Sequence, residues 1–396
     1  GRLQVVGGWW IEPDCNIPAG ESFARHALYG QRYLKEKFGV TATTGANIDS
    51  FGHNATIPQI LAKSGCDSYV FLRPGPTEKD LPAPLFRWES PDGSSVLAYR
   101  IPHEYLAPKD DIGEHVERAV STLPDDGEEW AVFYGVGNHG GGPTIANLEQ
   151  IRRMGPPLEP SSLRAFFDGV NGRDVPTVRG ELQYHGRGCY TSHSGIKRWN
   201  RRTENLLLRA EKWSAVAASL GLQPYPHERL EESWKLLLFN QFHDTLAGTS
   251  IAPAYDDARD QLGHATSLAA NAFNAAVQSI SRQIHVEHED DIRPVVVFNP
   301  HPWPVSTVAE IEYTWMRDTG ASICDEDGTD VPMQHTRALT TMSGARARLA
   351  FRVELPPLGY RTYRVRPWGV DMPAGEPLEN EHLRLQIDPA TGRIAS

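Results

Sequence analysis

Hydrophobic and polar residues follow three successive patterns along the chain. From residue 1 to about 175, short apolar runs alternate with stretches of helical period. Runs typical of strands occur at residues 3–6, 40–43, 68–72, 96–101 and 130–134, and helical periods occur at residues 21–38 and 55–64. Strands that alternate with helices are typical of βα units, so this region predicts a mainly parallel sheet covered by helices.

The pattern changes near residue 180 and again near residue 290. Three long amphipathic runs come first, at residues 201–218, 228–242 and 254–284, and they predict a three-helix bundle. Short apolar runs divided by Pro, Gly and Asp follow, and they predict the start of a β-sandwich region. The expected fold is therefore multidomain α/β, with an α/β catalytic domain at 1–178, a helix bundle at 179–290 and an incomplete β-sandwich region at 291–396.

Composition excludes several classes of function. The formal net charge of −11 comes without a basic stripe, so nucleic acid is not an expected partner. No apolar run reaches the roughly 20 residues of a membrane helix, so no membrane is expected either. The four cysteines form no CxxC pair, which fits a reducing compartment and predicts a cytoplasmic protein. The chain opens without Met and closes inside an apparent strand-turn-strand. We therefore expect that the native protein is longer and that this chain lacks both of its ends.

Polar side chains follow several of the predicted strands, where the carboxyl ends of parallel strands face a ligand crevice. They are Asp49 after residues 40–43, Arg73 after 68–72, His103 and Glu104 after 96–101, and Asn138 and His139 after 130–134. Each has an ordinary structural interpretation, since an aspartate there can cap the next helix and an arginine can form a surface ion pair. The occurrence of such side chains after four predicted strands favours a functional site.

His243 and Asp244 lie at the end of the second predicted bundle helix. A lone histidine in such a place is more often a hydrogen-bonded core group than a ligand. Its aspartate neighbour, and a position where the bundle could meet the α/β domain, make this pair a candidate as well.

Residues 135–140 match the GxGxxG pattern of dinucleotide binding, after a strand and before a helix. Gly141, Gly142 and Pro143 extend the turn, so the helix N-terminus would not meet a pyrophosphate at the usual distance. The pattern also falls late in the α/β region, whereas the fingerprint usually opens it. Nucleotide binding is therefore not favoured.

Six segments resemble glycoside hydrolase family 38, the zinc-dependent α-mannosidases. They are GGWWIEPD at 7–14, DSFGH at 49–53, YVFLRP at 69–74, YGVGNHGGGPT at 134–144, IKRWNRR at 196–202 and QFHD at 241–244. The resemblance implies a seven-stranded α/β barrel, only part of which lies in residues 1–178, followed by a three-helix bundle and a β-sandwich region. These expectations agree with the patterns above.

The resemblance also implies roles for individual residues. Asp49 resembles the nucleophile, which is also a zinc ligand, and His243 resembles the zinc ligand contributed by the helical domain. Arg73 resembles the arginine that orients the nucleophile, and Asp244 resembles an acid that binds sugar hydroxyls. In retaining hydrolysis a carboxylate forms a glycosyl-enzyme while an acid protonates the departing oxygen, and Zn²⁺ would hold the sugar hydroxyls.

The sequence departs from the family pattern in two places. The His-x-Asp pair that supplies the other two zinc ligands has no counterpart here, so both are expected upstream of residue 1, and the chain alone should bind zinc poorly and hydrolyse little. The acid/base position holds Asn138, whose amide cannot shuttle a proton. Either His139 or another acid takes over, or the chain is impaired; Asn138 and His139 are both assigned to substrate binding.

The predicted function is that of a retaining α-mannosidase, acting on an α-mannoside or a mannose-containing oligosaccharide. Two alternatives stay open, a metal-dependent carbohydrate deacetylase on a related barrel and a catalytically impaired carbohydrate-binding fragment. The oligomeric state is open too, a homo-oligomer included. The main proposal requires that the carboxyl group of Asp49 and the imidazole of His243 converge in space.

Overall fold

The computed structural model describes residues 3–108, 111–137, 141–314, 321–336, 346–366, 378–379, 381–388 and 390–395 of the 396-residue chain. The chain divides into two compact units, Gly1–Ala276 and Val277–Ser396. None of the helices in these described ranges combines the length and the hydropathy of a transmembrane segment.

The first unit is built on one five-stranded sheet. Its strands are β1 (Thr44–Asn47), β2 (Ser68–Phe71), β3 (Leu85–Glu89), β4 (Ser95–Arg100) and β5 (Thr177–Arg179). They lie in the order β1-β2-β4-β3-β5, and the pairings are parallel except for that of β3 with β4. The predicted mainly parallel sheet is thus confirmed.

Helices precede, follow and connect these strands. They are α1 (Gly20–Phe38), α2 (Ile57–Lys63), α3 (Gly113–Ser121), α4 (Ile145–Met154), α5 (Leu163–Val170), α6 (Ser194–Ser219), α7 (His227–Phe239), α8 (His243–Ala247) and α9 (Ala252–Ser281). α1 ends where the sequence predicts, because Gly39 takes a left-handed conformation at φ 72° and its N–H bonds to the carbonyl of Lys35.

Both faces of the sheet are covered, as the side chains of β2 illustrate. Tyr69 and Phe71 are buried in one core with Trp88, while Val70 lies in a second core with Tyr99. Successive strand residues point to opposite faces, so a strand buried on both sides is apolar throughout. This explains why β2 appears in the sequence as an unbroken apolar run.

A third core lies among the long helices. It holds Leu207 of α6, Trp234 and Leu237 of α7, and Leu262 of α9. The predicted helical runs therefore correspond to real helices that share apolar contacts. One boundary was wrong: α7 ends at Phe239, so His243 does not end that helix but begins the short α8.

Two predicted strands are also wrong, because residues 3–6 and 130–134 form none. In the later segment, the hydroxyl of Tyr99 donates to the carbonyl of Ala131 at 2.7 Å, and Nε2 of His115 donates to the carbonyl of Phe133 at 2.6 Å. Side chains thus bond carbonyls that a neighbouring strand would otherwise bond. The strand predicted at 40–43 is displaced to β1, which begins at Thr44.

The second unit contains antiparallel sheets, as predicted for a β region. Its strands are β6 (Arg293–Phe298), β7 (Val305–Thr314), β8 (Ser322–Cys324), β9 (Met333–Thr336), β10 (Arg346–Leu355), β11 (Tyr360–Arg366), β12 (Leu378–Glu379) and β13 (Arg384–Leu385). Two three-stranded sheets, β7-β10-β9 and β6-β11-β8, contribute Phe351 and Tyr363 to one apolar core.

Candidate functional site

Asp49 lies in the loop that leaves the carboxyl end of β1, as the strand-end argument predicts. Its backbone N–H donates to Oε1 of Glu12 at 2.7 Å. The hydroxyl of its neighbour Ser50 donates to the carbonyl of Pro13 at 2.8 Å, and the indole N–H of Trp9 donates to Oδ1 of Asn47 at 2.8 Å. The segment around Glu12 therefore holds the loop in place, and Asp49 does not cap α2, whose N-cap is another residue.

Arg73 follows β2 and contacts the side chain of Asp49. Nη1 of Arg73 lies 2.6 Å from Oδ1 of Asp49, which makes an ion pair, although the angles are not those of an aligned hydrogen bond. Burial tends to raise the pKa of Asp49, but His243 and Arg73 outweigh it, so this pKa lies below its usual range. Asp49 is accordingly held as a carboxylate.

Arg73 is itself positioned by a buried histidine. Nε2 of His53 donates to the carbonyl of Arg73 at 2.8 Å, and the hydroxyl of Tyr69 donates to Nδ1 of His53 at 2.9 Å. Burial lowers the pKa of His53 to about 4, so the ring is neutral and its two bonds fix which nitrogen carries the proton. The motif that contains Asp49 thus also supplies the support for Arg73.

His243 reaches the same place through a backbone pairing that links distant parts of the chain. Phe242 forms an antiparallel bridge with Pro13, and the backbone N–H of His243 donates to the carbonyl of Glu12 at 3.3 Å. Nδ1 of His243 donates to the same carbonyl at 3.0 Å, which leaves Nε2 facing Oδ2 of Asp49 at 3.6 Å. The two side chains that the sequence analysis required to converge are therefore neighbours.

The electrostatics of His243 and Glu12 follow from their burial beside one another. Burial tends to lower the pKa of His243, but Asp49 and Glu12 more than offset it and the pKa is raised. Burial is also the largest influence on Glu12, and there it raises the pKa despite the opposing effect of His243. Glu12 was not assigned a role from the sequence, although it belongs to one of the six quoted segments.

A buried hydrogen-bonded cluster fixes the segment that precedes His243. Nε2 of Gln241, which is fully buried, donates to Oδ1 of Asn200 at 2.8 Å and to Oε1 of Glu204 at 3.0 Å. Its Oε1 accepts from Nε2 of His26 at 3.0 Å. α1 and α6 thereby hold the segment that carries His243, because moving it would leave buried donors and acceptors of the cluster unpaired.

Asp244 and the glycine-rich turn complete the set of residues to which the family resemblance gives a role. Oδ1 of Asp244 accepts from the hydroxyl of Thr249 at 3.0 Å, and Oδ2 lies 4.0 Å from Nε2 of His243. Asp244 thus lies beside the site, and its side chain is 42% exposed, open to a ligand. Asn138 and His139 fall outside the described residues.

The aromatic ring of Phe51 packs against three of the charged or titratable side chains around Asp49. Cζ of Arg73 lies 5.5 Å from its centroid, and the rings of His185 and His243 lie 5.5 and 6.2 Å away. Neither Phe51 nor His185 was singled out from the sequence. Phe51 could have been noticed as the only aromatic residue of the DSFGH segment, whereas His185 carries no local signal.

The donor atoms present suit part of a zinc site. Oδ2 of Asp49 and Nε2 of His243 are types of donor that zinc takes in proteins, and they lie near enough to bind one ion. The bond from Nδ1 of His243 to a carbonyl fixes the ring as outer-shell partners of metal ligands do. Across the described ranges, no group of three or more His, Cys, Asp or Glu side chains is placed to hold a metal.

Comparison with known proteins supports the resemblance noted in the sequence. The model of the glycosyl hydrolases family 38 N-terminal domain matches residues 1–187, and that of the alpha mannosidase middle domain matches residues 183–280. Human alpha-mannosidase 2C1 is 34% identical over 277 residues, which are 65% of this chain and 26% of the human protein. Alpha-mannosidase G of Dictyostelium discoideum is 33% identical over 267 residues, which are 65% of this chain and 24% of that protein.

The fold is also that of a solved relative. The crystal structure of an alpha-mannosidase from Enterococcus faecalis matches with a TM-score of 0.74 at 19% identity, and the match covers 98% of this chain and 52% of that one. Because the two domain models together match residues 1–280, the chain belongs to glycoside hydrolase family 38, as its six segments indicated. It spans about a quarter of the length of the curated relatives named above.

Proposed function

We propose that this chain carries the core of the active site of a retaining α-mannosidase, which hydrolyses terminal α-mannosides with Asp49 as the nucleophile. The observation that carries the proposal is the convergence of Asp49, Arg73 and His243 at one place. The three relatives named above are α-mannosidases, and their names supply the substrate class.

The arrangement of Asp49 suits nucleophilic catalysis. Its lowered pKa, which His243 and Arg73 produce against the effect of burial, keeps the carboxylate charged near neutral pH. In the proposed reaction an oxygen of Asp49 forms a bond to C1 of the mannose while the bond from C1 to the glycosidic oxygen breaks. Water then hydrolyses the mannosyl ester and regenerates the carboxylate. Arg73 would fix the orientation of Asp49 through both steps.

Zinc belongs to the proposal as a cofactor. Asp49 and His243 would hold it, and two further ligands would come from outside the described residues. When bound, the ion would supply a positive template for mannose hydroxyls. Metal content can be measured directly: His243→Ala should lower the zinc that copurifies with the native-length protein, and an unchanged zinc content would remove this residue from the ligand set.

The assigned nucleophile is tested by substitution and by covalent trapping. The native-length protein should release the phenol from an aryl α-mannoside, and Asp49→Ala should reduce release to background. Asp260→Ala is a matched control, because Asp260 is exposed on α9 and pairs only with its neighbour Arg259 among the described residues. A fluorinated mannosyl donor should label the peptide that contains Asp49, and unaltered turnover by Asp49→Ala would refute the assignment.

The trapping experiment also separates the alternatives. A metal-dependent carbohydrate deacetylase activates water and forms no glycosyl-enzyme, so it would release acetate and leave Asp49 unlabelled. A catalytically impaired carbohydrate-binding protein, the alternative that Asn138 suggests, would bind mannose in calorimetry without turnover. Release of mannose together with labelling of Asp49 would exclude both.

The proposal extends to architecture and compartment. The five-stranded sheet would belong to a seven-stranded barrel, the long helices to a three-helix bundle, and the two three-stranded sheets to a β-sandwich region. A cytoplasmic location is supported by the four cysteines, all of which are described, buried and free. Free thiols at all four of these cysteines in the denatured native-length protein would agree with that location, and a disulfide that involves any of them would oppose it.

A further inference from the structure

His185 and Glu78 form an ionisable pair beside the candidate site. Nδ1 of His185 lies 2.6 Å from Oε1 of Glu78, and the two side chains are 30% and 31% exposed. They are therefore partly shielded from water yet open to a ligand. The sequence analysis gave neither residue a role, and 107 positions separate them along the chain.

The pair lies close to Asp49. The ring of His185 packs against Phe51, whose other contacts include the guanidinium of Arg73 and the ring of His243. Burial raises the pKa of Asp49, and the charges that lower it are those of His243, Arg73 and, to a smaller extent, His185. The imidazole of His185 is thus within electrostatic range of the proposed nucleophile.

Glu78 is fixed by the turn that follows Arg73. Its Oε2 accepts from the backbone N–H of Gly75 at 2.8 Å. Burial tends to raise the pKa of Glu78, but this N–H, His185 and Arg73 outweigh it, and the pKa is lowered. A carboxylate bonded to Nδ1 orients an imidazole and leaves Nε2 to exchange a proton, as in catalytic triads.

Retaining hydrolysis requires a group that gives a proton to the departing oxygen and later takes one from water. Two carboxyl groups described near Asp49 already have partners. Glu12 accepts from the backbone of Asp49, and Asp244 accepts from the hydroxyl of Thr249. Nε2 of His185, by contrast, has no hydrogen-bond partner within the described part of the chain.

We propose that His185, oriented by Glu78, is the proton-transfer residue of this site, and the inference rests on the proposed mannosidase function. In the first step the proton on Nε2 moves to the glycosidic oxygen as its bond to C1 breaks, and that oxygen keeps the bonding electrons. In the second step Nε2 takes a proton from the water whose oxygen bonds to C1, while the electrons of the C1–Asp49 bond return to the carboxylate.

The test compares leaving groups in the native-length protein. The leaving group of a 2,4-dinitrophenyl mannoside, 2,4-dinitrophenolate, departs without protonation. The methoxy group of a methyl mannoside must be protonated before it can depart. His185→Asn keeps a side-chain amide near the position of Nδ1 and so preserves a bond to Glu78. It should lose about 10²–10⁴-fold in kcat/KM on the methyl mannoside and less than about tenfold on the dinitrophenyl one. Glu78→Gln should lower kcat/KM on both substrates, by smaller factors than His185→Asn does.

Azide provides a second readout, because it attacks a mannosyl-enzyme without base assistance. On the dinitrophenyl substrate, azide should raise the kcat of His185→Asn, because the second step limits this rate, and the product should be mannosyl azide. A merely structural role of His185 would not produce this effect. His264→Asn is the matched control, since His264 forms an exposed pair with Glu232 on other helices. Its rates should equal those of the wild type.

Three outcomes would overturn the inference. Equal losses on both substrates in His185→Asn would make its role structural. If the loss of kcat/KM depended on the leaving group in His139→Asn but not in His185→Asn, the proton-transfer residue would lie in the glycine-rich turn. Failure of the wild-type protein to release mannose from either substrate would overturn the hydrolase itself, and this result is distinct because it precedes any variant.

Discussion

His53 couples the solution pH to the stability of the candidate site. The residue is fully buried, accepts a hydrogen bond from Tyr69 and donates one to the carbonyl of Arg73. Burial lowers its pKa from 6.5 to about 4, and the bond to Arg73 offsets only part of that shift. Acidification should therefore weaken the fold at the point where it supports Arg73.

The magnitude follows from the two protonation equilibria of His53. In the unfolded chain the ring gains a proton below about pH 6.5, whereas in the folded protein it stays neutral down to about pH 4. Between these values the unfolded state binds more protons, so the free energy of unfolding falls as the pH falls. Integrated from about pH 8 to about pH 5, the contribution of this residue is a loss of about 2 kcal/mol.

His53→Gln isolates this contribution. Glutamine retains a donor near the position of Nε2 but does not titrate, and the hydroxyl of Tyr69 loses its acceptor. The variant should be less stable than the wild type by about 1–3 kcal/mol at neutral pH. From about pH 8 to about pH 5, the free energy of unfolding of the variant should nevertheless fall by about 2 kcal/mol less than that of the wild type. His26, whose pKa burial lowers to about 3, contributes to both proteins and cancels in the difference.

Native-state hydrogen exchange provides the measurement. The protection of amides in β2, corrected for intrinsic rates, gives the free energy of opening at each pH for wild type and variant. His264→Gln replaces an exposed histidine and should leave the pH dependence unchanged. Equal losses of stability by His53→Gln and wild type between the two pH values would refute the reasoning.

Two further substitutions test the packing that carries His243. Gln241→Leu leaves buried partners without a hydrogen bond, namely Oδ1 of Asn200 and Nε2 of His26, and should lower the free energy of unfolding by about 2–4 kcal/mol in denaturant titrations. Replacing the exposed Gln278 by Leu should be near neutral, and a similarly small effect of Gln241→Leu would contradict the role of the cluster. Leu237→Ala empties part of the helical core and should cost about 2–5 kcal/mol in the same titration, so a cost below about 1 kcal/mol would show that the core relaxes around it.

Local patterns predicted much of the fold. The helical period ahead of Gly39 gave α1 and its end, and the apolar run at residues 68–72 gave β2, since both depend on neighbours in sequence. The run at 130–134 was wrong because an apolar segment does not reveal whether a partner strand lies beside it. β3 was not predicted, although it pairs antiparallel with β4 across a short turn closed by the N–H of Ser90 and the carbonyl of Ser94.

Part of the candidate site was also accessible from sequence. The rule that ligands lie beyond the carboxyl ends of parallel strands pointed to Asp49 and Arg73, and the QFHD segment pointed to His243. The place of Glu12 was not accessible, because it depends on a bond to a residue 231 positions away. His185 and Glu78 were missed for the same reason.

The amino-acid sequence by itself determined the parts: which stretches form helices or buried strands, and the family to which the chain belongs. These features are written in spacings of a few residues, because each side chain along an element faces a fixed direction. Only the tertiary structure decided that Pro13 pairs with Phe242, and hence that a carbonyl of the first segment orients His243 toward Asp49. Such pairings depend on how whole elements pack together, and no local spacing encodes them.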